Sequence, residues 1–304
     1  PLLALLPWPF HGRAEPCLLA LDVGQGDAVV ARTAEGAAFL VDAGPSDDSR
    51  DAGRAAVEPA LRAEGISTVS LAILSHAHRD HYGGLAWLAR RGWIATLAEN
   101  GSDPRGAWRG PIDEGLRRAG AARVVIARDT VFVRGGVSIA LRAPPGLGDD
   151  PGRGNALENN RSIAAHLTLG QATVFLPGDA EREAEEVALP SLPRAAILKA
   201  PHHGSRTSSE SAWLDRIAPR LVLVSCGEGN RFGHPDRGTM GRYRLLGAAV
   251  FRTDEEGAVR VTPHPGGAWV STRRHPAPTF VRFDAGRVPG QAGEAPAAGR
   301  GVSR

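Results

Sequence analysis

The feature that most constrains this chain is a repeated pairing of a short apolar run with a polar cluster. Leu18–Val23 ends in GQGD, Phe39–Asp42 in a glycine turn, and Leu71–Ser75 in SHAHRDH. Thr173–Pro177 ends in GDA, Ala195–Lys199 in PHHGS, and Leu221–Ser225 in a glycine-rich loop that holds Phe232–Asp236. Runs of four to six apolar and β-branched residues bounded by glycine and polar residues read as buried strands. The intervening segments Ala55–Arg62, Leu85–Arg91, Glu181–Leu189 and Ser211–Ile217 read as helices. That alternation predicts an α/β fold, with helices packed on sheets and functional groups gathered where the strands end.

The chemistry of those strand ends points to a metal. SHAHRDH places His76, His78, Asp80 and His81 within six residues, offering nitrogen and oxygen ligands of the type that zinc, manganese or iron accept. His76 and His78 point the same way if the segment is extended, and Asp80 and His81 then face a second ion. Asp179 and the pair His202, His203 follow two other strands, so three strand ends supply ligands to one rim. If His202 and His203 continue a strand they point oppositely, so one of the two coordinates and the other faces substrate.

Composition narrows the class further. Two cysteines, Cys17 and Cys226, exclude both a disulfide scaffold and a four-cysteine zinc site. No apolar run reaches the roughly 18 residues of a membrane span, and neither a P-loop nor a dinucleotide fingerprint is present. The net charge of +3 says little about partners, because a single lysine, Lys199, stands among 36 basic residues and the arginine excess reads as codon pressure.

The motifs LDVGQGD, LVDAG, SHAHRDH, NNRSIAAHLTLG, FLPGD, LKAPHHGSRTS and NRFGHPD occur in one order between Cys17 and Arg274. In that order they resemble the metallo-β-lactamase-fold domain of ComEC-type DNA-uptake channels. The resemblance implies a metallo-β-lactamase-like αββα sandwich that holds one or two divalent ions, zinc or manganese. It also implies a metal-dependent phosphodiester hydrolase, a nuclease acting on DNA during natural transformation. The expected partners are DNA, the membrane-channel portion of the same longer chain, and other DNA-uptake proteins. The expected location is the extracytoplasmic face of the cell membrane. Two competing readings are a free-standing hydrolase of small phosphodiesters and a DNA-guiding module that does not cut.

Under that resemblance, one ion takes His76, His78 and a shared Asp179, and the other takes Asp80, His81, Asp179 and either His202 or His203. Dinuclear members carry a further histidine before the PGD aspartate. Here none lies between His81 and His166, and NNRS stands instead, so the first ion is short of a protein ligand. His166 itself, in mid-strand, reads as structural. Asp80, His234, Asn160 and Lys199 are the expected catalytic residues, and Ser162, Ser205, Arg161 and Arg206 the substrate contacts. Asp22, Gln25, Asp27 and Asp42 are expected to orient the ligand imidazoles. The expected organisation is a membrane-proximal stub or linker at residues 1–15, cut from a longer chain, then one domain over 16–283 and a disordered tail over 284–304. Residues 99–111 and 144–159, rich in Gly, Pro, Asp and Asn, are expected to be loops.

Overall fold

In β1 (Cys17–Ala20) every residue is buried, which requires cover on both faces of its sheet. A computed structural model describes residues 15–103, 108–144 and 155–283. The expected tail over 284–304 and residues 1–14 of the expected stub lie outside the described residues. The chain continues through β2 (Val29–Arg32), β3 (Ala38–Val41), β4 (Leu71–Ile73), β5 (Thr96–Glu99) and β6 (Ala122–Val125). A second series follows: β7 (Thr130–Arg134), β8 (Val137–Arg142), β9 (Ala164–Leu169), β10 (Ala172–Leu176), β11 (Ile197–Lys199), β12 (Leu221–Val224) and β13 (Ala249–Arg252). The chain closes with β14 (Val259–His264), β15 (Gly267–Thr272) and β16 (Thr279–Arg282).

These strands form two sheets, ordered β16-β15-β14-β1-β2-β3-β4-β5-β6 and β13-β12-β11-β10-β9-β8-β7. Each is antiparallel on one side and parallel on the other. Pairing is parallel from β3 to β6 and from β10 to β13. Parallel strands need crossovers, and the crossovers put helices on the outer faces.

Alternation along the strands separates three apolar layers. Leu18, Phe39 and Ile73 meet Leu167, Val174, Ile197 and Leu223 between the sheets. Leu19, Leu40 and Leu74 face outward onto Leu61, Leu88, Ile112 and Leu116 of the helices Glu58–Ala63, Leu85–Arg90 and Arg109–Ala119. On the far side, Leu198, Val222 and Val224 face Trp213 and Ile217 of helix Ser211–Ile217, and Met240 and Tyr243 of helix Arg237–Leu245. Burial of a Leu, Ile or Phe side chain contributes roughly 1.5–3 kcal/mol, so a one-residue slip of any central strand would exchange two filled layers at once. The result is the αββα sandwich that the motifs imply.

Two expected loops are partly helical. Arg109–Ala119 lies inside and beyond 99–111, and Asn155–Asn159 closes 144–159. The first buries Ile112 and Leu116 against helix Leu85–Arg90, a spacing of four that the preceding glycine-rich stretch obscures. Among the described residues, no helix is long and apolar enough to cross a membrane.

Backbone hydrogen bonds pin the strand-end loops to one another. Asp27 N–H donates to Asp80 C=O at 3.2 Å, Ala43 N–H to His81 C=O at 2.8 Å, and Gly44 N–H to Asp27 C=O at 2.7 Å. Gly84 N–H completes the set by donating to Gly44 C=O at 3.1 Å. This approach leaves no room for a side chain, because a Cβ on Gly84 would run into the Ala43 carbonyl and the Gly53 backbone. Gly84→Ala should therefore destabilise the chain by about 1–3 kcal/mol through overpacking. Gly241→Ala, in a helix with open space around it, should be neutral or slightly stabilising. Urea denaturation of both variants checks this, and equal stabilities would contradict the packing described.

Candidate metal centre

The cluster begins with Asp42, the residue after β3. Its Oδ1 accepts from Ser75 N–H at 2.8 Å, and its Oδ2 accepts from Ser75 Oγ and lies 2.8 Å from His81 Nδ1. A carboxylate can only accept, so His81 carries its proton on Nδ1 and turns Nε2 the other way. That Nε2 lies 3.2 Å from Asp179 Oδ2 and 3.9 Å from Asp80 Oδ2.

His203 repeats the arrangement from the opposite sheet. Its Nδ1 donates to the Ser225 carbonyl at 3.0 Å, which leaves Nε2 3.3 Å from Asp179 Oδ2 and 3.4 Å from Asp80 Oδ2. Two imidazole nitrogens thus converge on the same two carboxylates. His203 Nε2 is buried and makes no hydrogen bond, an orphaned ring nitrogen that a divalent cation suits. Asp27 also lies close, since single atoms of Asp27, His81, Asp179 and His203 fall within 4.8 Å of one another. Asp27, however, faces the Nδ1 side of both rings, at 3.4 Å from His203 and 3.8 Å from His81. The ligand-facing set is Asp80, His81, Asp179 and His203, and Asp27 stands behind it.

His202 and His203 do not continue a strand. Both sit in the tight turn Pro201–Gly204 with positive φ, 49° and 55°, so strand alternation does not decide between them. The left-handed turn buries His203 in the cluster and sends His202 toward Glu181 Oε1 at 3.3 Å and Asn159 Nδ2 at 3.4 Å. His76 and His78 form a neighbouring pair. His76 Nε2 lies 3.0 Å from His78 Nδ1, and the His76 ring centroid lies 4.1 Å from that of His81. Ser75 Oγ stands 3.0 Å from His76 Nδ1.

Charge explains the buried lysine. Lys199 is 2% exposed; its ammonium pairs directly with Asp27 Oδ2, reaches Asp179 Oδ1 at 3.4 Å and donates to Gly178 C=O at 3.2 Å. Burial would depress its pKa, but Asp27 and Asp179 outweigh that and hold it above the usual value. Burial would likewise lower His81 and His203. The surrounding carboxylates, Asp179 foremost, hold both well above the usual histidine range. Without a cation these imidazoles keep protons that the carboxylates demand. A divalent ion among their Nε2 atoms would take the place of those protons, and the donor set therefore fits one. His76 has the opposite tendency, because burial and the nearby His81 push it well below the usual value.

The remaining expected residues divide by position. Ser162 Oγ accepts from Asp179 N–H at 3.0 Å, and Asn160 Oδ1 accepts from Glu181 N–H at 2.9 Å. Both are buried and hold the Asp179 loop from behind. His234, Ser205 and Arg206 line an open cavity of about 700 Å³ that also borders His78, Asp80 and Asp179. Burial and the two neighbouring imidazoles push His234 down to about 4. Arg161 is exposed and is not among the cavity's lining residues. Asp22 is exposed and accepts from Gly24 N–H at 3.3 Å, as a turn residue does. Gln25 Oε1 accepts from Gly227 N–H at 3.2 Å, which ties the β1–β2 loop to the loop after β12. Neither Asp22 nor Gln25 touches a ligand imidazole among the described contacts. His166 sits on β9 with its ring centroid 6.4 Å from that of Phe175, outside the cluster.

Two acidic residues enter that the motifs did not single out. Glu158 Oε1 accepts from Ala77 N–H at 2.9 Å, clamping the backbone between His76 and His78. Glu181 Oε1 accepts from Asn159 Nδ2 at 2.6 Å and faces His202. Their one sequence signal is adjacency, Glu158 beside NNRS and Glu181 two residues after Asp179.

Comparison with known proteins identifies the family and the fold. Residues 21–228 match the family model of the metallo-beta-lactamase superfamily. The chain is 28% identical over 269 residues to ComE operon protein 3 of Bacillus subtilis (strain 168), covering 81% of this chain and 33% of that protein. It is 27% identical over 258 residues to competence protein ComA of Neisseria gonorrhoeae, covering 83% and 33%. Recombination protein 2 of Haemophilus influenzae is 28% identical over 241 residues, covering 79% and 28%. The chain spans about a third of the length of these relatives. Among solved structures, the metallo-beta-lactamase fold protein YhfI of Bacillus subtilis superposes with a TM-score of 0.51 at 12% identity, covering 80% of this chain and 99% of that one. Zn(2+)-bound PqqB of Methylobacterium extorquens gives 0.51 at 16%, covering 75% and 85%; identities this low speak to the fold alone. The family match spans more than half of the sequence, and the chain belongs to the metallo-beta-lactamase superfamily.

Proposed function

We propose that this chain is a metal-dependent phosphodiester hydrolase, a nuclease that acts on DNA during uptake at the cell envelope. The observation that carries the reading is the convergence of His81 Nε2 and His203 Nε2 on Asp80 and Asp179, two carboxylates that also line a cavity with Arg79, Arg206 and Arg231. A cation site reached past arginines suits a polyanion whose charge grows during attack on phosphorus. The competence names of the relatives supply the setting. In that setting the domain works beside the membrane-channel portion of a longer chain, on the extracytoplasmic face, with other DNA-uptake proteins as partners.

Asp80, His81, Asp179 and His203 would hold one zinc or manganese ion, and His76, His78 and the shared Asp179 a second. Such an ion, when bound, makes water a nucleophile near neutral pH and offsets charge on the phosphate. The chain's own groups do the rest. Asp80, whose side chain is 34% exposed, meets the cavity together with Asp179, and it would orient the attacking water. His234, held neutral at pH 7, directs a hydrogen bond toward a phosphate or leaving oxygen without adding charge. Arg206 and Ser205 hold the strand. Asn160 and Ser162 act through the Asp179 loop, and Lys199 through Asp27 and Asp179, as positioning residues.

Calorimetric titration with zinc or manganese tests the ligand set. His203→Ala should weaken the tighter ion at least 10- to 100-fold, and His202→Ala by no more than a few fold. The ion at Asp80 and His81 should fill first, because the His76–His78 side lacks a further protein ligand. Two equally tight ions would count against this, as would a larger effect at His202.

Cleavage of single- and double-stranded DNA by the metal-loaded chain tests the activity, with Asp80→Ala expected to reduce the rate at least about 100-fold. Equal rates for the two proteins would sink the reading. Hydrolysis of small phosphodiesters without cleavage of DNA would favour the free-standing hydrolase. Tight DNA binding with no metal-dependent cleavage would favour the guiding module. Lys199→Arg should lower turnover, because a forked guanidinium does not fit a buried slot built for an ammonium. Lys199→Met should lower it further and destabilise the fold by about 3–5 kcal/mol, since Asp27 would be left buried without its cation. Wild-type rate and metal content in the arginine variant would make the lysine a bystander.

A further inference from the structure

Beyond the metal centre, the cavity carries an aromatic group that hydrolysis of a phosphodiester does not require. Phe232, on the loop after β12, lines the cavity yet is 55% exposed. A single exposed apolar residue is ordinary, but the loop that carries this one is tied down. Asn230 Oδ1 accepts from Phe232 N–H at 3.2 Å and His234 N–H at 3.1 Å, and Asn230 Nδ2 donates to the Gly227 and His234 carbonyls at 2.9 and 2.6 Å. The ring is held out into solvent by a built turn.

Its neighbours are planar too. The His234 ring lies nearly parallel to Phe232, at 11° with centroids 5.9 Å apart, and the Arg231 guanidinium carbon lies 5.0 Å from the Phe232 centroid. From His234 the rings continue inward, with centroids 5.3 Å from His202 and 6.3 Å from His203. A row of rings thus runs from the rim to the cluster, parallel between Phe232 and His234 and inclined beyond, at 62° to His202 and 37° to His203. A phosphate site with an exposed aromatic stack beside it matches a nucleotide unit, whose base offers a π-face of its own.

Resting on the hydrolase reading for the position of the phosphate, we propose that Arg231, Phe232 and His234 form a platform on which an unpaired nucleobase stacks, so that the pocket takes single-stranded rather than duplex nucleic acid. Within a duplex both faces of each interior base are already covered by neighbouring bases, and Phe232 finds no partner there. In a single strand, or at a frayed end, a base can lie on Phe232 while Arg231 shares the stack or pairs with the phosphate.

Fluorescence anisotropy with phosphorothioate oligonucleotides, which resist hydrolysis, separates binding from cleavage. Three probes are needed: a single strand, the same strand with abasic positions, and a blunt duplex. The unsubstituted chain should bind the single strand more tightly than the duplex. Phe232→Ala should weaken single-strand binding roughly 5- to 100-fold, the loss of one base–aromatic stack, and Phe232→Tyr should restore it. The abasic strand should bind the unsubstituted chain and Phe232→Ala alike. Equal weakening on intact and abasic strands, no effect of Phe232→Ala, tighter binding of the duplex, or no binding of the single strand overturns the proposal. Phe232-dependent binding in a chain that never cleaves DNA would leave the platform standing and remove the hydrolase reading. Cleavage indifferent to Phe232 would do the reverse.

Discussion

Three carboxylates, those of Asp27, Asp42 and Asp179, are almost wholly withdrawn from water at one end of the sandwich. A buried, uncompensated carboxylate costs several kcal/mol, so compensating these charges constrains everything around them. Asp27 is met by Lys199, Asp42 by Ser75 and His81, and Asp179 by Lys199, His81 and His203. Each partner is also fixed by a second bond, which turns the two imidazoles until their Nε2 atoms face each other's carboxylates. The electrostatic demand for positive charge and the geometric convergence of donors are one arrangement seen twice.

The sandwich delivers these groups because its sheets are built alike. Each has a parallel half whose strands end at the same rim, and each supplies one imidazole and one aspartate to the ligand-facing set: His81 and Asp80 after β4, Asp179 after β10 and His203 after β11. The inner apolar layer holds the two rims in register. Glycines at the closest crossings let the β1–β2 loop, the β3 loop and the SHAHRDH loop share backbone hydrogen bonds. Geometry at the site is thus set by backbone contacts that no side chain can replace, and strain at Gly84 would reach His81 through a single turn of chain.

Much of this was legible in the residues. The runs 18–23, 39–42, 71–75, 173–177, 195–199 and 221–225 each overlap an observed strand, because continuous burial leaves an unbroken apolar signature. The clustering of Asp80, His81 and Asp179 followed from the strand-then-ligand rhythm. Less legible were strands with mixed surroundings. β14 carries Pro263 and a buried Arg260 whose charge is met by Glu64 from a distant helix end, and no local pattern announces that pairing. β7 is an edge strand with Val131 and Val133 exposed, so its apolar residues do not report a core. The choice between His202 and His203 depends on a left-handed turn, where the two-residue period of a strand does not apply. Asp22 and Gln25 lie in a plausible motif yet point elsewhere: Asp22 closes a local turn with Gly24, and Gln25 is drawn to Gly227, 202 residues away.

We propose that the inward-facing nitrogens of His81 and His203, with Asp80 and Asp179, hold a divalent cation. Crystals grown with manganese or zinc and measured at that metal's absorption edge test it directly. A strong anomalous peak is expected within coordinating distance of His81 Nε2, His203 Nε2, Asp179 Oδ2 and Asp80 Oδ2, with any second peak at His76 and His78 weaker. An anomalous map with no peak among those four atoms, or with its main peak at His202, would contradict it.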